Sequence, residues 1–304
     1  VACAQSLDAL LDDYRDAKSS HQQTSVLNAI AAVSDSAVDA RIAGLAVGLK
    51  SEHVSVRNHT VSLIGKWTLT NESAVTALRG HCNVVAARIS KNCAEFQAAE
   101  KRLGSAPSPT KGQKRYLDAM DKFTKSLDRM TALIAEAKKL GSTIPLLVAS
   151  LREARDDRAV DGVAVLVPLS SREHLPAVRA ALTEWGTVAS LDALCGRLTY
   201  YDDRIASQKR RITKAQRKRP GSPPKGTRNK SAWRDRQKTM FANTVASLEE
   251  QQTRLLEQRG EAFDAVRQFA KHWKLAEPPA KNVTSGFARW QRGAVKDLPT
   301  SVND

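Results

Sequence analysis

Apolar residues recur at alternating spacings of three and four over two long windows of the chain. In the first window Tyr116, Met120, Phe123, Leu127, Met130, Ile134 and Ala137 keep this register without a break. In the second, Phe241, Val245, Leu248, Leu255, Ala262, Val266, Phe269 and Trp273 keep it, interrupted by Gln252 and Arg259. Such spacing makes the seam of an antiparallel coiled coil, and a seam requires a partner helix. The nearest partner is the heptad stretch that precedes each window, joined to it through Gly- and Pro-containing turns at 104–112 and 220–226. Two long helical hairpins are therefore predicted, the arms of the second about 40 Å long at a rise of ~1.5 Å per residue.

The remaining apolar residues fall in short amphipathic segments separated by Ser, Asp and Gly, in residues 5–68 and 143–187. The first block predicts helices at 6–17, 22–33, 36–49 and 53–67, with Ser34 and Asp35 capping the third, since their side-chain oxygens can satisfy orphan N–H groups. Helices this short are marginal alone and must bury their apolar faces on one another.

The two blocks and the two hairpins look like copies. Asp35-Ser36-Ala37-Val38-Asp39 recurs as Asp157-Arg158-Ala159-Val160-Asp161, Glu52-His53 as Glu173-His174, Val56-Arg57 as Val178-Arg179, and Trp67 as Trp185, at offsets between 118 and 122. Downstream, Val75, Leu78, Cys82, Val85, Ile89, Asn92 and Phe96 align with Leu191, Leu194, Leu198, Tyr201, Ile205, Gln208 and Ile212 at a constant offset of 116. Lys101-Arg102 and Gly104-Ser105 then match Lys218-Arg219 and Gly221-Ser222. The expected architecture is all-α and internally duplicated, each helical-repeat block being followed by an antiparallel hairpin. The segments are 1–70, 71–141, 142–188 and 189–274, with an extended tail at 275–304 that carries a short helix around Phe287 to Val295, pinned by Trp290.

Leu45 and Leu49, one helical turn apart and followed by Glu52, Val54, Val56-Arg57 and Val61, resemble the HEAT-type, armadillo-like helical repeat, in which an acidic turn precedes a Val-Arg pair. Leu166, Leu169, Glu173 and Val178-Arg179 repeat the pattern, with the leucine spacing shortened from four to three and with Pro176 in the second helix. The resemblance covers about a third of the chain. It implies stacked helix pairs and protein-binding surfaces rather than catalysis.

Composition supports helices: aromatic residues are 5% of the 304, too few for the alternation that strands require. The formal net charge of +16 points to polyanionic partners, and its placement is uneven. Residues 209–238 hold thirteen cations, Lys209, Arg210, Arg211, Lys214, Arg217, Lys218, Arg219, Lys225, Arg228, Lys230, Arg234, Arg236 and Lys238, against the single acid Asp235, a net of +12. This stretch is the expected tip of the second hairpin, with Trp233 among the cations. The equivalent stretch 101–125 carries seven bases and two acids. Lysine and arginine neutralise phosphates and release counterions, and an interleaved aromatic can stack on a base or wedge into lipid. The alternative reading of the same stretch is a solvated turn.

Other chemistry is not signalled. The chain contains no P-loop, GxGxxG, HExxH or GxSxG motif, and its six histidines are scattered. Cys3, Cys82, Cys93 and Cys195 lack zinc-ligand spacing, so core thiols are expected, and no metal or cofactor. No run of 18 apolar residues exists to span a bilayer. Ala2-Cys3-Ala4 before Gln5 resembles the small-residue end of an export signal. The functional expectation is a non-enzymatic scaffold or adaptor for partner proteins, with nucleic-acid binding through the basic tip as the alternative.

Overall fold

The structure, a computed structural model, describes residues 6–34, 36–103, 113–170, 173–217, 223, 229–279 and 284–303. Among them every regular element is helical, and the chain is all-α as its composition predicts. The α-helices are α1 (Leu7–Asp16), α2 (Ser20–Ala32), α3 (Val38–Leu45), α4 (Val54–Gly65), α5 (Glu72–Leu103), α6 (Gln113–Gly141), α7 (Ile144–Arg152), α8 (Asp157–Ala164), α9 (Leu175–Trp185), α10 (Val188–Gln216), α11 (Lys230–His272) and α12 (Thr284–Ala294). Short 3-10 turns cover Ala46–Lys50, Val167–Leu169 and Val295–Asp297. The chain divides into two compact units, one of Val1–Ser190 with Pro299–Asp304, the other of Leu191–Leu298.

In the first unit the short helices α1, α2 and α8 start at side-chain caps. The Ser6 hydroxyl accepts the Ala9 N–H, and Ser19 with Gln22 forms a reciprocal capping box on α2. The third helix departs from expectation. It starts at Val38 with Ala37 at the N-cap and no side-chain cap, while Asp35 lies outside the described residues. The Asp39 carboxylate instead accepts a 2.9 Å bond from the Asn71 amide. Leu27, Ile30, Ile42, Leu45 and Ile64 are all within 2% of complete burial, so the apolar faces of α2, α3 and α4 form one core. Gly48 allows close approach there: a Cβ at this position would sit 2.2 Å from the Thr60 hydroxyl and 2.9 Å from a Leu27 methyl.

Arg57, the arginine of the Val-Arg pair, is 5% exposed. Its guanidinium donates to the carbonyls of Ser51 (2.7 Å) and Glu52 (3.1 Å), tying α4 to the turn before it. Arg179, the arginine of the later Val178-Arg179 pair, is half-buried and makes no such bond among the described residues. His53 and His174 stand at the N-caps of α4 and α9, and neither side chain caps its helix. The turn after α9 is made by Gly186, whose φ of 65° belongs to the left-handed region.

Helices α5 and α6 run antiparallel, Arg88 pairing with Glu136 and Arg129 with Glu95. The buried face of α5 is Val75, Leu78, Cys82, Val85, Ile89 and Asn92. On α6 the packed face follows the seam read from the sequence only in part: Tyr116, Met120, Phe123, Met130 and Ala137 are half-buried, but two of its positions are displaced. Leu133 and Leu140 are each 2% exposed, whereas Leu127 and Ile134 are 41% and 46% exposed. An α-helix turns once in about 3.6 residues, so a strict heptad drifts roughly 20° per repeat, and the buried stripe passes to the neighbouring residue.

In the second unit α10 and α11 also run antiparallel. Arg259 pairs with Asp202, and the Gln208 amide donates to the Leu248 carbonyl (2.8 Å) and the Gln251 side chain (3.3 Å). Leu198, Tyr201 and Ala262 form the core of this pair, with Leu255, Phe263 and Phe287 packed against it. The helix end at Trp273 is closed by two bonds, Lys274 N–H to the Lys271 carbonyl and Leu275 N–H to the Ala270 carbonyl, with Lys274 at φ 53°. Beyond it α12 is held by a 2.7 Å bond from the Trp290 indole to the Ala276 carbonyl and by one of 2.8 Å from Gln291 to Asp192. The last residues return to the first unit, where Pro299 accepts the Val188 N–H and Asp157 accepts that of Val302.

Candidate polyanion-binding end

The cations singled out in the sequence come from the last turns of α10 and the first turns of α11. Lys209, Arg210, Arg211, Lys214 and Arg217 lie on or just after α10, and Lys230, Arg234, Arg236 and Lys238 on α11; all nine are exposed. Lys218, Arg219, Lys225 and Arg228 lie outside the described residues. Gln208 and Ile212 point inward, 4% and 8% exposed. Arg210, Lys214 and Arg217, at i, i+4 and i+7, therefore form a row on the opposite side of α10. Gln216 reaches Glu249, so Lys230–Lys238 lies past the last α10 residue in the antiparallel register.

Local structure leaves these charges free. The Arg210 guanidinium donates to its own helix at the Ala206 carbonyl and Arg211 to the Gln208 side chain, contacts that use few of their donors. Among the described residues none of the nine cations takes part in an ion pair. Elsewhere Arg15, Arg79, Arg88, Arg129, Arg152, Arg158, Arg254 and Arg259 each meet a carboxylate. The nearest acids along α11 are Asp235, bonded to Ser231, and Glu249 and Glu250, the latter paired with Arg254. Concentrated like charge with no internal partner raises the local potential and attracts counterions, which a polyanion can displace.

Two buried charge groups were not legible in the sequence. On α10 Arg197 is 3% exposed, donates to the Tyr201 hydroxyl at 3.0 Å and lies over that ring, and burial lowers its pKa against the opposing pull of Tyr201 and Glu261. On α5 His81 is 5% exposed, and burial, reinforced by Arg57 and Arg88, lowers its pKa to about 4. Its Nε2 has no hydrogen-bond partner among the described residues. Both look like ordinary polar helix positions, and their burial is visible only once the helices are packed.

Cys82 and Cys195 are buried thiols pushed up to about 12, and Cys93 is an exposed free thiol; Cys3, with the Ala2-Cys3-Ala4 stretch, lies outside the described residues. Among the described residues no three His, Cys, Asp or Glu side chains gather where a metal ion could be held. Among the described residues no helix is long and apolar enough to cross a membrane. A groove of about 600 Å³ in the second unit is lined by Asp192, Ala288, Gln291, Arg292 and Val295. The chain matches no protein-family model, no curated protein and no solved structure.

Proposed function

We propose that this protein is a non-enzymatic, helical binding protein that holds nucleic acid by its phosphates at the basic end of the second unit. The observation that carries this reading is the set of nine exposed cations, contributed by two helices and without ion-pair partners among the described residues. A stable helical pair has no need of such a concentration of charge; a ligand with regularly spaced negative charge does. The test is binding of short DNA and RNA, followed by fluorescence anisotropy, to the intact protein and to a variant carrying R210Q, K214Q, R217Q, R234Q and R236Q. Five phosphate contacts removed predict a loss of affinity of at least tenfold at low salt and a shallower salt dependence. Equal binding by the two proteins overturns the reading.

A second reading, a scaffold or adaptor for partner proteins, draws on the first unit. Leu117, Leu127 and Ile134 of α6 and Val84 of α5 are 58%, 41%, 46% and 51% exposed. The proposed internal duplication and the resemblance to HEAT-type repeats fit such a role. A partner held on these side chains would bind with little dependence on salt and would be lost in L127E/I134E, which separates the two readings.

A further inference from the structure

The five tryptophans of this chain are not used alike. Trp67 lies under the Arg41 guanidinium at 5.5 Å, Trp185 is 8% exposed in the core, Trp273 stands against His272 at 5.7 Å, and Trp290 bonds the Ala276 carbonyl and packs on Phe287 at 5.3 Å. Trp233 makes no such contact among the described residues. Its backbone N–H bonds the Asn229 carbonyl, and among the described residues its half-buried indole has no ring, cation or hydrogen-bond partner. Its neighbours one turn away on α11 are Asn229, Lys230, Arg236 and Gln237, all polar. A large aromatic at a site of this polarity stabilises the fold little, yet it stands in the midst of the free cations.

We infer that the Trp233 indole stacks on an unpaired base, so that the ligand of the basic end is single-stranded nucleic acid; this rests on the phosphate-binding reading above. Every base offers a π-face to a flat indole, and a strand whose backbone is held by neighbouring cations presents bases within reach. A duplex keeps those faces stacked and closed. An anionic membrane fits less well, because a helix lying in a lipid surface needs a continuous apolar face, and Trp233 has polar residues at i−4, i−3, i+3 and i+4.

The experiment titrates the intact protein, W233F and W233A with oligothymidylate, with a duplex of equal length and with vesicles containing anionic lipid, reading tryptophan emission and affinity. Stacking predicts quenching by oligothymidylate that W233F largely loses. It also predicts that W233A binds the single strand about five- to fiftyfold more weakly with an unchanged salt slope, the duplex being unaffected. If all three proteins bind oligothymidylate equally and with the same salt slope, the stacking inference falls while phosphate binding stands. If none binds at low salt, both fall. A blue shift of Trp233 emission on vesicles without quenching by oligothymidylate overturns it in favour of a lipid surface.

Discussion

Lys274 holds a left-handed backbone at φ 53° at the end of α11, where the two bonds that close the helix require that conformation. Glycine adopts it without the Cβ clash, worth roughly 1 kcal/mol. Lys274→Gly should therefore raise the stability of the intact chain by up to about 1 kcal/mol, read by urea denaturation; a destabilised variant would contradict the role given to this turn. His81 sets a pH dependence. Its folded pKa of about 4 lies below the ordinary 6.5, so the unfolded chain binds the extra proton first. Stability is complete above pH 6.5 and is lost as pH falls from there towards 4, by about 3 kcal/mol for this group at most. His81→Gln should flatten that part of the stability profile, and an unchanged profile would show that His81 titrates normally. Neither residue was legible beforehand. A histidine or lysine on a helix reads as solvated until its neighbours are known, whereas Arg57 could be singled out because its Val-Arg pair follows an acidic turn.

At the scale of elements, the short helices near the start of the chain were legible to within a few residues from their amphipathic segments, although the side chains that cap α1 and α2, Ser6 and Ser19, were not the ones singled out. The register of α6 was legible only in part. Its apolar residues are numerous enough to fit two adjacent stripes, and only packing against α5 selects Leu133 and Leu140 over Leu127 and Ile134. The choice is measurable. Leu133→Ala should cost about 2–4 kcal/mol and Leu127→Ala less than about 1 kcal/mol, whereas the heptad seam predicts the reverse order. Asp202 and Arg259 illustrate the opposite outcome. Arg259 interrupts the apolar seam of α11, and the interruption is filled by a charge from α10 with the arginine side chain only 16% exposed. Removing both should cost less than the sum of removing each, since removing Asp202 alone strands a largely desolvated arginine. The buried faces of α5 and α10 use the aligned residues Val75 to Asn92 and Leu191 to Gln208, which supports the proposed duplication. Arg57 and Arg179, which the proposed duplication would make equivalent, play unequal roles.

For the whole molecule, charge was the most legible property, since a count along the chain suffices to place net +12 of the +16 within residues 209–238. What the count could not supply was whether those charges are neutralised by acids folded against them. The helices α10 and α11 leave nine of them exposed and free of ion pairs among the described residues, and among those residues the Trp233 indole has no ring, cation or hydrogen-bond partner. The most direct test of phosphate binding at this end is the slope of log K against log salt for a single-stranded oligonucleotide. Engagement of five to nine of these cations predicts a slope between about −3.5 and −6, at roughly −0.7 per phosphate, reduced by about 3 or more in the variant lacking five of them. A slope near zero in the intact protein, or one that the five substitutions leave unchanged, would contradict it.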